Sequence, residues 1–118
     1  YRGESKELRL GNLEVKRDWT HARDSAYAMW LMLQQETSDD YVIGSEETHS
    51  IREFCDLAFS CVGLNYKDYV VIDPQFFRPA EVDLLLSDCT KAVVKLGWKR
   101  TTGFEDLVTE MVKAELEK

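Results

Sequence analysis

Two arginines lie in short segments whose residue types suit the binding of phosphate groups. Arg17 opens the sequence Arg-Asp-Trp, and Arg78 follows two phenylalanines in a segment bounded by Pro74 and Pro79. A planar guanidinium matches the geometry of a phosphate with two parallel hydrogen bonds, which a lysine ammonium cannot provide. The prolines fix the backbone and remove N–H donors, so residues 74–79 are predicted to form a shaped loop. Both arginines could close on one diphosphate.

A simpler interpretation of the same arginines is that each pairs with a carboxylate of this chain. Spacing offers Asp24 as a partner for Arg17, and either Glu81 or Asp83 as a partner for Arg78. Such ion pairs are common on protein surfaces and contribute only about 0–1 kcal/mol to stability. Spacing alone favours this interpretation, and a role in phosphate binding needs further support.

The residue sets of common catalytic and cofactor sites are missing from the sequence. The six glycines do not have the spacing of a dinucleotide-binding or P-loop motif, and no tyrosine is followed four residues later by lysine. His21 and His49 lie on separate predicted elements without a partner at ligand spacing, so we expect them to cap or to hydrogen bond. The three cysteines show no Cys-x-x-Cys spacing, which predicts reduced, mostly buried thiols. We therefore predict no catalytic, cofactor-binding or metal-binding residue in this chain.

Composition limits the class of protein and its partners. The chain of 118 residues is 44% hydrophobic, which suits one domain with its own core. It has 22 acidic and 15 basic residues and a net charge of −7, which argues against binding to nucleic acid or to an anionic membrane surface. No apolar stretch approaches the ~20 residues needed to cross a bilayer, and the first residues lack a signal-peptide pattern. These features predict a cytoplasmic protein.

Short strands and helices alternate along the chain and would position the two arginine segments. Runs of β-forming residues predict strands at residues 8–10, 41–43, 69–72 and 82–86. Helices are predicted at residues 23–36, from a Ser50/Glu53 capping box to Gly63, from an Asp88 N-cap to Leu96, and after a Thr102/Glu105 capping box. The helix at 23–36 is apolar almost all round, so we expect it to be buried on most faces. The predicted fold class is α/β, with strands short enough to complete a sheet formed mostly elsewhere.

Several strings of residues are similar to one enzyme family. They occur in the family's order at compatible spacing, and they are Leu10-Gly11-Asn12-Leu13, Arg17-Asp18-Trp19, Ala28-Met29-Trp30-Leu31-Met32-Leu33-Gln34-Gln35, Phe77-Arg78-Pro79-Ala80-Glu81-Val82-Asp83 and Lys95-Leu96-Gly97-Trp98-Lys99. Together they resemble the C-terminal, substrate-binding part of the GDP-mannose 4,6-dehydratases, which are extended short-chain dehydrogenase/reductases. The resemblance covers residues 8–118, which are assigned to a GDP-sugar-binding domain, while residues 1–7 match poorly.

The resemblance implies roles for five residues of this chain. Arg17 and Arg78 would neutralise the diphosphate of GDP-mannose. Glu81 would hydrogen bond the nucleoside side, and Leu10 and Asn12 would line the base pocket. No residue of this chain would be catalytic.

The resemblance also implies a fold and a reaction. The fold would have short strands with about four helices and would lack the N-terminal doubly wound NADP-binding domain, which carries the catalytic residues in the family. The whole enzyme would use NADP to convert GDP-mannose to GDP-4-keto-6-deoxy-mannose, a precursor of GDP-fucose, and would be a homo-oligomer. NADP is not expected to bind this chain alone.

Two alternatives remain open at the level of sequence. The chain could be a free-standing module that binds a ligand or a partner without catalysis. It could also be part of a related GDP-sugar epimerase or reductase, because those enzymes share the diphosphate arginines. The run from Arg78 to Val82, Arg-Pro-Ala-Glu-Val, is typical of the dehydratases and argues against the second alternative.

Overall fold

Short strands and four α-helices alternate along the computed structural model, which describes residues 2–118. The strands are β1 (Leu8–Leu10), β2 (Lys16–Arg17), β3 (His49–Ser50) and β4 (Val70–Ile72). The helices are α1 (Ala22–Leu33), α2 (Ile51–Ser60), α3 (Thr90–Leu96) and α4 (Phe104–Leu116), and short 3-10 helices at Tyr66–Asp68 and Pro74–Phe76 flank β4. This architecture confirms the predicted α/β class with about four helices. None of the helices within residues 2–118 is long and apolar enough to cross a membrane.

The strands within residues 2–118 pair in two separate sheets of two strands each. β1 runs parallel to β4, with Leu8 opposite Val70 and Leu10 opposite Ile72, while β2 runs antiparallel to β3. A two-stranded sheet is marginally stable by itself, because it covers too little apolar surface. The strands therefore depend on the helices and loops that pack beside them.

α1 and α3 pack through one small core. Its buried members are Ala28, Cys89, Ala92, Leu96 and Trp98. The Trp98 indole N–H donates to the backbone carbonyl of Asp24 at 2.9 Å, which ties the chain after α3 to the first turn of α1. Cys89 and Cys55 are buried free thiols, and Cys61 is an exposed free thiol. The prediction of reduced, mostly buried cysteines agrees with these positions.

Aromatic side chains join α2 and α4 behind the β2–β3 sheet. The ring centroid of Trp19 lies 4.9 Å from that of Phe54 and 6.4 Å from that of Phe104. The His49 ring stacks on the Phe104 ring with 3.9 Å between their centroids. The backbone carbonyl of His49 accepts the Trp19 indole N–H at 3.0 Å. Aromatic pairs of this kind stabilise beyond the area they bury. The cluster fixes the chain just after Arg17.

Predictions of helix ends are confirmed where the capping partner lies within a few residues. Ser50 and Glu53 form the reciprocal capping box at the start of α2. His21 caps α1, because its Nδ1 accepts the backbone N–H of Arg23 at 2.9 Å. Gly97 ends α3 with a φ of 64°, a left-handed conformation that glycine adopts at little cost.

Two predicted strands are wrong. Residues 41–43 run as irregular chain, with Tyr41 and Ile43 packed on the α1–α3 core. Residues 82–86 make one isolated bridge, between Leu84 and Lys16. A run of β-forming residues becomes a strand only where another strand pairs with it. Within residues 2–118, residues 41–43 have no such partner, and residues 82–86 pair with β2 only around Leu84.

Two predicted caps are also wrong. α3 begins at Thr90 with Cys89 as its N-cap, one residue later than predicted, although the Asp88 carboxylate still accepts the Thr90 backbone N–H at 3.0 Å. α4 begins after Gly103, because the Thr102 backbone N–H donates to the distant Asp24 carboxylate at 3.0 Å.

α1 has two opposite apolar faces, and only one is covered within residues 2–118. Ala28 lies in the core, whereas Met29, Trp30 and Leu33 are 61%, 53% and 82% exposed. The expectation that α1 is buried on most faces is therefore wrong for this chain. The radius of gyration is 17.1 Å, against about 13.5 Å for a compact domain of this length. The described residues are therefore spread out more than in a compact domain, and one side of α1 faces solvent.

Candidate functional site

Arg17 is the centre of a polar cluster at the end of β2. Its Nη1 donates to the backbone carbonyls of Lys16 at 2.8 Å and Val82 at 2.7 Å. Its Nη2 contacts the Glu81 carboxylate, and both side chains of this ion pair are 23% exposed. The guanidinium is therefore held by three partners from two segments, and its orientation is fixed.

The backbone brings Glu81 and Val82 to Arg17. The Lys16 N–H donates to the Asp83 carbonyl at 2.8 Å, and the Leu85 N–H donates to the Lys16 carbonyl at 3.1 Å. These bonds lay residues 83–85 alongside β2. The residues just before them, Glu81 and Val82, are thereby placed beside the Arg17 side chain.

The predicted ion pair between Arg17 and Asp24 is wrong. The Asp24 side chain instead accepts the backbone N–H groups of Thr101 and Thr102 at 3.0 Å and the Thr101 hydroxyl at 2.6 Å. Burial would raise the pKa of Asp24, but these hydrogen bonds outweigh it and lower the pKa below its ordinary value. Asp24 is therefore a buried anchor for residues 98–102, and Glu81 is the partner of Arg17.

Arg78 lies in the exposed loop that follows the 3-10 helix Pro74–Phe76. Phe76 and Phe77 beside it are 53% and 49% exposed. Within residues 2–118 the Arg78 guanidinium has no carboxylate within 4.0 Å, so the predicted pairing with Glu81 or Asp83 is wrong. The side chain presents an unneutralised positive charge to solvent.

Leu10 and Asn12 lie at the turn after β1. The Leu10 carbonyl accepts the Asp73 N–H at 2.7 Å, and the Asn12 side chain accepts the Glu14 N–H at 2.9 Å. Between them, a Cβ on Gly11 would stand 2.7 Å from the Phe76 carbonyl oxygen, so only glycine permits this approach. The turn after β1 is thus pressed against the beginning of residues 73–82.

The five residues named by the resemblance lie along one stretch of chain. Residues 73–82, called here the site segment, carry Arg78 and Glu81. The turn that holds Leu10 and Asn12 contacts the beginning of the site segment, and Arg17 contacts its end. The structure therefore brings Leu10 into contact with Asp73, and Arg17 into contact with Glu81 and Val82, across 63 to 65 positions of sequence.

A residue that sequence reasoning missed lies next to Arg17. Asp18 accepts hydrogen bonds from both the backbone and the side chain of Ser45 and of Ser87. Burial would raise the pKa of Asp18, but the hydrogen bonds from Ser45 and Ser87 outweigh it and lower the pKa to about 2. The Arg-Asp-Trp string contained the signal, since it places a carboxylate directly after the candidate anion-binding arginine.

An apolar groove lies elsewhere on the chain. It has a volume of about 520 Å³ and lies between α2 and α4, with Phe54, Phe59, Val62, Met111 and Val112 among its lining residues. Its one charged lining residue is the carboxylate of Glu115. A groove without a cationic group does not suit a diphosphate, so the candidate anion site is the arginine cluster.

The fold is shared with solved extended short-chain dehydrogenase/reductases. RMD from Pseudomonas aeruginosa, complexed with NADPH, has a TM-score of 0.79 at 20% identity and covers 93% of this chain, which spans 35% of it. A UDP-glucose 4-epimerase from Bifidobacterium longum, in complex with NAD+ and UDP, scores 0.82 at 21% identity over 98% of this chain and 36% of that one. A dTDP-glucose 4,6-dehydratase from Bacillus anthracis, in complex with NAD, has a TM-score of 0.82 at 22% identity. The match covers 96% of this chain and 35% of that one. The fold is that of part of an extended short-chain dehydrogenase/reductase.

Within that class, the chain belongs to the GDP-mannose 4,6 dehydratase family, whose sequence profile matches residues 1–111. It is 57% identical over 110 residues to GDP-mannose 4,6 dehydratase 2 of Arabidopsis thaliana, over 93% of this chain and 30% of the relative. It is 42% identical to GDP-mannose 4,6 dehydratase of Homo sapiens over an alignment of 134 residues, which covers 99% of this chain and 36% of the relative. The chain thus spans about a third of the length of these relatives, and the resemblance read from the sequence is confirmed.

Proposed function

We propose that this chain is the GDP-sugar-binding part of a GDP-mannose 4,6-dehydratase. Arg17 and Arg78 neutralise the diphosphate of GDP-mannose, Glu81 bonds the nucleoside side, and Leu10 and Asn12 line the base pocket. The observation that carries the proposal is that Arg78 and Glu81 lie on the site segment, while the end of β1 with the turn after it contacts the beginning of that segment and Arg17 of β2 contacts its end. A GDP-sugar is an elongated ligand, and a site spread from one end of the site segment to the other suits its shape.

The hydrogen bonds of Arg17 support its role. A guanidinium has five N–H donors, and three are used by Lys16, Val82 and Glu81. The remaining two, one on Nε and one on Nη2, have no partner within residues 2–118. Arg17 can therefore keep its protein contacts and still donate to a phosphate oxygen. Glu81 fixes the guanidinium and lowers the cost of ordering it on binding.

The charge of Arg78 supports its role as the second cation. The chain has a net charge of −7, and the Arg78 guanidinium, in an exposed loop, forms no ion pair within residues 2–118 and is free to meet an anion. A diphosphate supplies the missing counter-charge, and the fork of the guanidinium adds directional bonds. Because Arg17 is already paired with Glu81, Arg78 supplies the net positive charge opposite the diphosphate, and Arg17 adds its two remaining N–H donors.

The uncovered face of α1 supports a second binding role. Met29, Trp30 and Leu33 form a stripe on the side of α1 opposite the core residue Ala28. The relatives have about two thirds of their length outside the region that this chain matches. This stripe would pack on the NADP-binding domain of the whole enzyme. NADP would then be bound by that domain, and this chain would present GDP-mannose to it.

In the whole enzyme the proposed reaction converts GDP-mannose to GDP-4-keto-6-deoxy-mannose with NADP. The contribution of this chain is to bind and orient the substrate through its diphosphate and nucleoside. No side chain of residues 2–118 is assigned a catalytic step, because the arginine cluster holds charge and offers no group poised to accept a proton. The sugar end of the ligand would reach beyond this chain to the catalytic residues.

Calorimetric titration of the 118-residue chain with GDP, guanosine and NADP tests the proposal. We expect GDP to bind more tightly than guanosine, because only GDP engages the two arginines, and we expect no heat of binding with NADP. High salt should narrow the difference between GDP and guanosine by screening the diphosphate contacts. Equal affinity for GDP and guanosine, or tight binding of NADP, would contradict the proposal.

A further inference from the structure

The Asp18 carboxylate joins three segments that are far apart in the sequence. Its Oδ1 accepts the backbone N–H and the hydroxyl of Ser45, each at 2.6 Å. Its Oδ2 accepts the backbone N–H groups of Glu46 and Ser87, each at 3.1 Å, and also the Ser87 hydroxyl. Five donors from two loops therefore converge on one side chain that directly follows Arg17.

The loop at residues 44–46, which supplies three of these donors, is built around the carboxylate. Glu46 has a φ of 60°, which costs energy for a residue with a side chain. Gly44 lies so close that an added Cβ would overlap the Ser87 side chain and stand 2.8 Å from Asp18 Oδ2. The Glu46 carboxylate accepts the Cys89 N–H at 2.8 Å, which holds the same loop from its other side. The loop at residues 44–46 therefore has a strained residue, Glu46, at the place where its donors surround the Asp18 carboxylate.

Ser87 connects Asp18 to the environment of Arg17. Residues 83–85 lie alongside β2 through their bonds to Lys16, and Asp18 holds the end of this stretch through Ser87. The opposite end of the stretch is Glu81 and Val82, which accept from the Arg17 guanidinium. Loss of the Asp18 contacts would free Ser87 and leave this stretch held to β2 only by its two backbone bonds to Lys16. The positions of Glu81 and Val82, the two acceptors of Arg17, would then be less well fixed.

We propose that Asp18 is the positioning residue of the anion site, and that it orients Arg17 by locking residues 81–87 against β2. The inference rests on the proposed function, since it assigns Asp18 to the diphosphate grip of Arg17. Among the described residues the Asp18 carboxylate bonds no arginine, so it does not neutralise its neighbour. It satisfies backbone and hydroxyl donors instead, and it leaves the positive charge of Arg17 to Glu81 and to the ligand.

Asp24 provides a matched control for a merely structural role. Like Asp18, which is half-buried, the buried Asp24 is an aspartate whose two oxygens accept backbone and hydroxyl donors, in this case from Thr101 and Thr102. Its partners lie between α3 and α4, and none of them contacts the site segment. Loss of either carboxylate should destabilise the fold, but only loss of Asp18 should disturb Arg17.

The test compares the 118-residue chain with its Asp18→Asn and Asp24→Asn variants by NMR of the arginine side-chain N–H groups. We expect Asp18→Asn to shift the Arg17 resonances and to speed their exchange with water, while Asp24→Asn leaves them unchanged. Asp18→Asn should also weaken GDP binding about 10-fold or more and weaken guanosine binding less, because guanosine lacks the diphosphate that Arg17 binds. If Asp18→Asn does not fold, Ser87→Ala removes one of the same contacts and should shift the Arg17 resonances in the same direction.

Arg17 resonances that are the same in the wild type, Asp18→Asn and Ser87→Ala would overturn the inference. Equal disturbance of Arg17 by Asp24→Asn would also overturn it, because the effect would then be general loosening of the fold. The NMR comparison needs no ligand. If the unaltered chain fails to bind GDP, the proposed function is contradicted, and the Arg17 resonances still decide whether Asp18 positions that side chain.

Discussion

The guanidinium of Arg17 and the carboxylate of Glu81 form an ion pair across 64 positions of sequence. Both side chains are 23% exposed, so water screens the pair less than it screens the other ion pairs of the surface. The same guanidinium donates to the Val82 carbonyl, which makes the end of the site segment and the end of β2 one unit. The pair is both a contact that stabilises the fold and the frame of the proposed anion site.

Replacement of Glu81 by glutamine should therefore lower stability. Glu81→Gln keeps the shape of the side chain but removes the charge that faces Arg17, and we expect the free energy of unfolding to fall by about 1 kcal/mol. Glu115→Gln is the control, because Glu115 pairs with Lys118 in a fully exposed position and its loss should have no measurable effect. Urea unfolding of both variants measures the difference. Equal midpoints for the two variants would show that the Arg17–Glu81 pair is as solvated as the control pair.

Replacement of Arg78 by lysine should weaken ligand binding without a loss of stability. Arg78→Lys keeps the charge but loses the two parallel N–H donors of the guanidinium. We expect GDP-mannose to bind more weakly by on the order of 1–3 kcal/mol. Arg78→Ala should weaken it further. Arg23→Lys serves as the control, because Arg23 is 73% exposed and its carboxylate partner is Glu110, outside the site.

Calorimetry for affinity and thermal unfolding for stability separate the two roles of Arg78. The proposed role predicts a loss of affinity with an unchanged melting temperature. A fall in melting temperature with unchanged affinity per folded molecule would identify Arg78 as a structural residue.

The low pKa of Asp18 makes stability depend on acid pH. Its folded-state pKa of about 2 lies below the ordinary value for aspartate, so the ionised form is favoured by folding. Its contribution is complete above roughly pH 4 and is lost as the pH falls toward 2. The unfolding midpoint in urea should thus fall between pH 4 and pH 2, and it should fall less steeply for Asp18→Asn. Parallel pH profiles for the two proteins would show that Asp18 does not contribute.

The uncovered stripe of α1 should cause self-association of the chain. Met29 and Leu33 are largely exposed, and apolar surface of this kind favours contact between copies when its natural cover is absent. Met29→Gln with Leu33→Gln should therefore reduce association, as measured by sedimentation velocity at several concentrations. Met111→Gln is the control, since Met111 is a half-exposed methionine on α4. A monomeric wild-type chain, or an equal effect of the control, would contradict the assignment of this face.

The parts of the fold that the sequence predicts are those set by neighbouring residues. The Ser50–Glu53 capping box and the left-handed Gly97 each involve partners within a few positions, and both are confirmed. Residues 41–43 and 82–86 have strand composition, but a strand also needs a partner from elsewhere in the chain, and composition does not supply one.

The site shows the same division. The sequence and the family resemblance named Arg17 and Glu81, but spacing paired Arg17 with the nearby Asp24 and missed Glu81 as its partner. Asp18 was missed as an organising residue because its donors lie 27 and 69 positions away, at Ser45 and Ser87. Contacts of such sequence separation are set by tertiary packing, and one sequence does not show them.

A titration of the isotope-labelled chain with GDP-mannose, followed by backbone and arginine side-chain NMR, tests the proposed site most directly. The proposed function predicts saturable shifts at Leu10, Asn12, Arg17, Arg78 and Glu81, with residues of the α2–α4 groove unaffected. Guanosine should shift Leu10, Asn12 and Glu81 but leave Arg78 unchanged. An unchanged spectrum at saturating GDP-mannose, or shifts confined to the α2–α4 groove, would contradict the claim that this chain binds the GDP-sugar through its two arginines.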